Sequence, residues 1–134
     1  MNILLVDDDR VLAETTATLI ECIGGHRVHI TDEPTEVFQQ CQSGTVDLVM
    51  MDVNLPGAQW EGKLVSGADL SRLLKTQPQT AKIPVILLTA YALVNEQQQL
   101  LEVSQADSFY AKPILDFESL LDNLTQLVKK TEQE

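Results

Sequence analysis

Asp7, Asp8 and Asp9 close one short apolar run of the chain, and Asp52 closes another. Carboxylates placed like this can hold a hard divalent cation. Two more reactive groups follow the same habit. Thr89, with Ala90 beside it, comes after the run Ile83–Leu88, and Lys112 comes after Asp107–Ala111. A hydroxyl and an ammonium both donate hydrogen bonds to anionic oxygen. The set therefore places cation-binding acids beside donors to anionic oxygen.

The acids also repel one another. Two unit charges near 4 Å repel by roughly 4 kcal/mol at an effective dielectric of 20. Asp7, Asp8 and Asp52 set against Lys112 leave two negative charges, which one divalent ion would cancel. Oxygen-only ligands favour magnesium. Each residue also has a plainer reading. Asp9 suits the cap of a following helix, and Asp52 or Lys112 could each be a solvated surface charge. Only a fold that brings them to one place turns them into a site.

The pattern of the chain supplies such a fold. Asn2–Val6, Val46–Met51 and Ile83–Leu88 are continuous apolar runs, as expected of strands covered on both faces. Arg27–Ile30 and Asp107–Ala111 are weaker strand candidates. Helical spacing fills the gaps. Leu12, Thr16, Leu19, Ile20 and Ile23 mark the inward face of a first helix, stopped by Gly24-Gly25. Further helices are expected over Glu33–Cys41, Gly67–Thr76, Asn95–Ser104 and Phe117–Lys130. Five alternating strands and helices imply an α/β fold, a doubly wound parallel (βα)5 sheet of flavodoxin-like order 2-1-3-4-5. Ligands of such sheets sit at the carboxyl ends of the strands. Asp7, Asp8, Asp52, Thr89 and Lys112 would all arrive on that rim.

Asp7-Asp8, then Asp52 ahead of Leu55-Pro56-Gly57, then Leu88-Thr89-Ala90, then Lys112-Pro113 resembles the receiver domains of two-component response regulators. The resemblance runs from Asn2 to about Lys130. It implies that Asp52 is the phosphoacceptor, taking a phosphoryl group from a sensor histidine kinase or a phosphotransfer protein. It implies that Asp8, Asp52 and the backbone carbonyl of Asn54 bind Mg2+, with Asp7 holding a metal-bound water. Lys112 and Thr89 would bind phosphoryl oxygens, and Ala90 would leave them room. Thr89 and Phe109 would form the switch, and the Lys112–Pro113 peptide would be cis. The output would be a changed face of helix four, strand five and helix five, read by a downstream protein partner.

The chain departs from the family pattern in one place. The segment between Gly57 and Gly67 is about seven residues longer than the resemblance leads one to expect, and long loops in compact domains are often functional. It carries the only tryptophan, Trp60: left exposed, it would suggest a partner contact, and folded back, the slightly favoured reading, it would cover the domain edge. Tyr91, two positions after Thr89, is expected to slow loss of the phosphoryl group by its bulk. A receiver-like interaction scaffold that is never phosphorylated is the alternative. A haloacid dehalogenase would need an acid where Asn54 stands, and a flavodoxin's phosphate would be repelled by Asp7-Asp8-Asp9.

Composition sets the remaining bounds. A chain of 134 residues is the usual size of one domain, here residues 1–130 with a polar tail at 131–134. A net charge of -11 argues against direct nucleic-acid binding. No apolar run is long enough to span a bilayer, so a soluble, cytoplasmic protein without a membrane partner is expected. Cys22 and Cys41 lack metal-type spacing and are expected to be ordinary thiols.

Overall fold

The computed structural model describes residues 1–90, 94–112 and 114–132. Its strands are β1 (Asn2–Val6), β2 (Arg27–Thr31), β3 (Leu48–Asp52), the short pair β4 (Gln59–Trp60) and β5 (Lys63–Leu64), β6 (Val85–Thr89) and β7 (Ser108–Ala111). Its helices are α1 (Arg10–Gly24), α2 (Pro34–Gln42), α3 (Gly67–Thr76), α4 (Val94–Ser104) and α5 (Phe117–Glu132). The main sheet is parallel, in the order β2-β1-β3-β6-β7. With the β4–β5 hairpin set aside, that is the 2-1-3-4-5 order of the flavodoxin-like fold.

The apolar runs explain which strands are central. Every residue of β3 and of β6 is buried, because helices cover both faces of the sheet. On one face, Ala13, Ala17 and Ile20 of α1 and Leu120 and Leu124 of α5 pack on Ile3, Leu5, Met50 and Ile86. On the other, Val37 and Phe38 of α2 and Leu70 and Leu74 of α3 pack on Leu4, Val49, Met51 and Leu87. Alternate residues of one strand thus feed two separate cores.

The inward face of α1 differs from the expected one. Leu12, Leu19 and Ile23 are exposed, and the buried stripe is Ala13, Ala17 and Ile20. Small residues at that spacing let the helix lie close on the sheet. Ile20 alone belongs to both stripes. The helix starts and stops as expected. Asp9 caps it, its Oδ1 accepting from the Leu12 amide at 3.1 Å. Gly25 ends it with φ 68°, its amide donating to the Glu21 carbonyl. At the other terminus, α5 continues to Glu132, two residues into the segment expected to be a tail.

The long segment after β3 folds into the β4–β5 hairpin. Its tip is Glu61-Gly62, with φ 53° and 79°. Left-handed conformation at both central residues is the mark of a primed two-residue turn, which matches the twist of the strands it joins. The Val65 amide donates to the Ala58 carbonyl at 3.0 Å and closes the hairpin's base. Trp60 folds back on the domain, its ring centroid 4.2 Å from that of Phe38 with the planes at 38°. Such tilted pairs add to plain area burial. Leu64, on the neighbouring strand, stays 72% exposed.

The chain re-enters the domain at Gly67. Its amide donates to the Val53 carbonyl at 2.9 Å. A Cβ built on Gly67 would lie 1.9 Å from the Asp52 carbonyl oxygen. The backbone of α3 therefore touches the backbone of β3 directly beneath Asp52, and only glycine fits. Gly67→Ala is expected to lower stability by about 2–4 kcal/mol, read as a lower urea midpoint in the fluorescence of Trp60.

Candidate functional site

Four elements deliver the reactive groups to the carboxyl rim of the sheet. Asp7 and Asp8 follow β1, Asp52 ends β3, Thr89 ends β6 and Lys112 follows β7. Strand order makes these ends neighbours, since β1, β3, β6 and β7 are adjacent. Register then levels them: Asp52 pairs with Leu88, and Thr89 pairs with Ala111. The Lys112 amide donates to the Thr89 carbonyl at 2.9 Å, extending the ladder by one residue.

Asp7, Asp52 and Thr89 are buried, whereas Asp8 is exposed. Lys112 Nζ donates to Asp52 Oδ2 at 2.8 Å and to Asp7 Oδ2 at 3.2 Å. The second oxygen of each acid takes a backbone amide. Asp52 Oδ1 accepts from Asn54, at 3.0 Å, and Asp7 Oδ1 accepts from Asp9, at 2.9 Å. These bonds orient the carboxylates but do not remove the strain of gathering them. Burial, aided by the charge of Asp52, pushes the Asp7 carboxyl above its ordinary range despite the Asp9 amide and Lys112. Burial alone would lower Lys112, but the bonds and charges of Asp52 and Asp7 outweigh it and hold its ammonium above the usual lysine value.

One carboxylate oxygen from each of Asp7, Asp8 and Asp52 lies within 4.8 Å of the others. Beside them opens a pocket of about 430 Å³ lined by Asp52, Val53, Asn54, Ser66, Thr89, Ala90 and Lys112. Every site residue expected from the sequence whose side chain is described, Phe109 excepted, thus belongs to the acid cluster or lines the pocket. Phe109 is half-buried and packs on the α2–α3 side, while Tyr110 packs on the α1–α5 side and bonds Asn123. Tyr91 and the Lys112–Pro113 peptide lie outside the described residues.

Ser66 was not singled out from the sequence. It caps α3 in a reciprocal capping box with Asp69, and Ser-x-x-Asp ahead of an apolar run is the signal for one. That signal marks a helix start and is silent about a pocket.

The other candidate chemistry is quiet. Burial pushes the Cys41 thiol up to about 12, and Cys22 is exposed. His26 Nδ1 meets the terminal ammonium, and His29 pairs with Glu36 across the surface. Among the described residues, no helix is long and apolar enough to cross a membrane.

The sequence profile of the response regulator receiver domain matches residues 3–125. The chain belongs to this family. A gliding motility regulatory protein of Myxococcus xanthus is 31% identical over 95% of this chain and 15% of its own length. The chemotaxis protein CheY of Pseudomonas aeruginosa is 28% identical, over 84% of this chain and 85% of its own. The chain spans only 15% and 34% of two of the curated relatives it matches. The receiver domain of a signal transduction histidine kinase from Syntrophus aciditrophicus superposes with a TM-score of 0.80 at 28% identity, covering 99% of this chain and 93% of that one. Another receiver domain, from a sensor histidine kinase of Pseudomonas aeruginosa PAO1, has a magnesium ion coordinated in its active-site cleft. It shares the fold at a TM-score of 0.77 and 23% identity, over 96% of this chain and 97% of that one. Receiver domains are modules of two-component signalling.

The geometry makes Lys112 the counter-charge of two buried acids. Removing it takes away a bond and a charge that hold the Asp7 carboxyl down, so Asp7, already raised by burial, should rise further above its unfolded value. Stability would then be kept at low pH and lost as pH rises through that raised value. In chelator, Lys112→Ala is expected to cost about 1–3 kcal/mol at pH 8 and clearly less at pH 5, measured by urea unfolding at each pH.

Proposed function

We propose that this receiver domain is a phosphorylation-dependent switch with Asp52 as its phosphoacceptor. The observation that carries the reading is the placement of Asp52. Among the described residues it is the one acid that joins the carboxylate cluster, bonds Lys112 and also lines the pocket. The donor is a phosphohistidine of a sensor histidine kinase or of a phosphotransfer protein. A carboxylate oxygen of Asp52 forms a bond to phosphorus as the phosphorus–nitrogen bond breaks, and the imidazole leaves with a proton.

The residues at the site divide the work. Lys112 leaves its carboxylate partners to meet phosphoryl oxygen, and Thr89 donates its hydroxyl to another. Ala90, on the pocket wall, has no side chain large enough to crowd them. The acid cluster fits a hard cation. Its donors are carboxylate oxygens within 4.8 Å of one another, and Lys112 balances only part of their charge. Asp8, Asp52 and the Asn54 carbonyl would hold Mg2+ directly, with Asp7 on a bound water. The ion supplies neutralisation of phosphoryl charge. Phe109 and Thr89 act as the switch, Phe109 filling space that Thr89 leaves, which alters the face of α4, β7 and α5 toward a downstream protein partner.

The deciding experiment is intact mass after incubation with magnesium and acetyl phosphate. One phosphoryl adduct is expected on the native chain, none without magnesium and none on Asp52→Asn. A native chain that binds magnesium but never gains the adduct would support an unphosphorylated scaffold instead. Asp7→Asn is expected to weaken magnesium by about 10–100-fold in a calorimetric titration, as loss of a group orienting a metal-bound water does.

A further inference from the structure

Among the described residues, the walls of the Asp52 pocket come from the ends of β3, β6 and β7, with one exception. Ser66 reaches it from the start of α3, at the foot of the β4–β5 hairpin. Its position is fixed twice over. The Gly67 amide is tied to the Val53 carbonyl at 2.9 Å. Its own amide donates to Asp69 Oδ2 at 2.9 Å, while its Oγ accepts from the Asp69 amide at 3.2 Å.

That bonding pattern leaves a donor. Among the described hydrogen bonds, Ser66 Oγ accepts one and donates none. A hydroxyl that accepts from an amide turns its own hydrogen away from that amide. Asp69 is already engaged by the Ser66 backbone, so the cap does not need the hydroxyl proton. The ten-residue α3 adds positive potential at the same end. An anion in the pocket would then meet Lys112 and Thr89 on one wall and a held hydroxyl on another.

We infer that Ser66 is a further phosphoryl-binding residue, its Oγ–H donating to an oxygen of the group carried on Asp52. The inference rests on Asp52 being the phosphoacceptor. It also gives the long segment after β3 a role at the site, because Ser66 is where that segment ends.

The test is adduct formation with beryllium fluoride, a tetrahedral mimic of a carboxyl-bound phosphoryl group, in saturating magnesium, followed by fluorine NMR. The variants separate the hydroxyl from the cap. Ser66→Thr keeps both. Ser66→Ala loses both. Ser66→Asp keeps a capping oxygen and has no proton to give at neutral pH. The native chain and Ser66→Thr are expected to bind alike. Ser66→Ala is expected to bind roughly tenfold more weakly, the worth of one hydrogen bond to a charged group, and Ser66→Asp at least as weakly. Magnesium affinity without fluoride should stay unchanged in Ser66→Ala. Should Ser66→Ala prove unfolded, Ser66→Asp carries the test alone. Native-like binding by the alanine or aspartate variant would overturn the inference, as would a threonine variant as weak as alanine. A native chain that binds magnesium but forms no adduct would instead remove the reading of Asp52, and the inference with it.

Discussion

Lys112 bonds two buried carboxylates that lie 105 and 60 residues away in the chain. Much of the structure can be read as what is needed to hold that contact. Asp7 and Asp52 repel one another, and a looser scaffold would let them part or protonate. Parallel strands with fully buried residues do not give way so easily, because shifting β1 or β3 would disturb cores on both faces. The sheet thus stores an electrostatic cost at its rim, offset by aliphatic packing below. A site under that tension is sensitive to any new charge placed in it.

The backbone is as important here as the side chains. Asp52 is oriented by the Asn54 amide and Asp7 by the Asp9 amide, so neither depends on Lys112 alone for its direction. The Lys112 amide is itself joined to Thr89, which links the two donors of the pocket by one bond. Beneath Asp52, the contact of Gly67 with its carbonyl leaves α3 no freedom to slide. Acids, donors and the helix start are consequently parts of one rigid rim.

Much of this rim was legible in the residues. The apolar runs of β1, β3 and β6 announce buried parallel strands, and strand-end placement gathers Asp7, Asp52, Thr89 and Lys112 on one rim. The inward face of α1 was not legible, because Ala13 and Ala17 are weak in a hydrophobic pattern beside Leu12 and Leu19. What puts them inside is the closeness of helix to sheet, a tertiary matter. Ser66 was hidden for a related reason. Its capping signal says where α3 begins, but the direction it faces follows from the approach of Gly67 to Asp52. The fold of the Trp60 segment was expected only as far as its return to the domain edge. Its hairpin form depends on Glu61 taking a left-handed conformation that its residue type does not advertise.

The stem of that hairpin has a separate consequence. Ala58 and Val65 are bonded to each other, so the chain departs and returns at one spot, and the turn at Glu61-Gly62 carries no load for the sheet. A segment joined in this manner behaves as a cassette. Its tip can be lengthened, or exchanged for an epitope or a fluorophore-bearing peptide, at a modest cost in loop closure. For evolution and for the protein engineer alike, it is an attachment point beside the acidic rim that leaves the rim's own geometry alone.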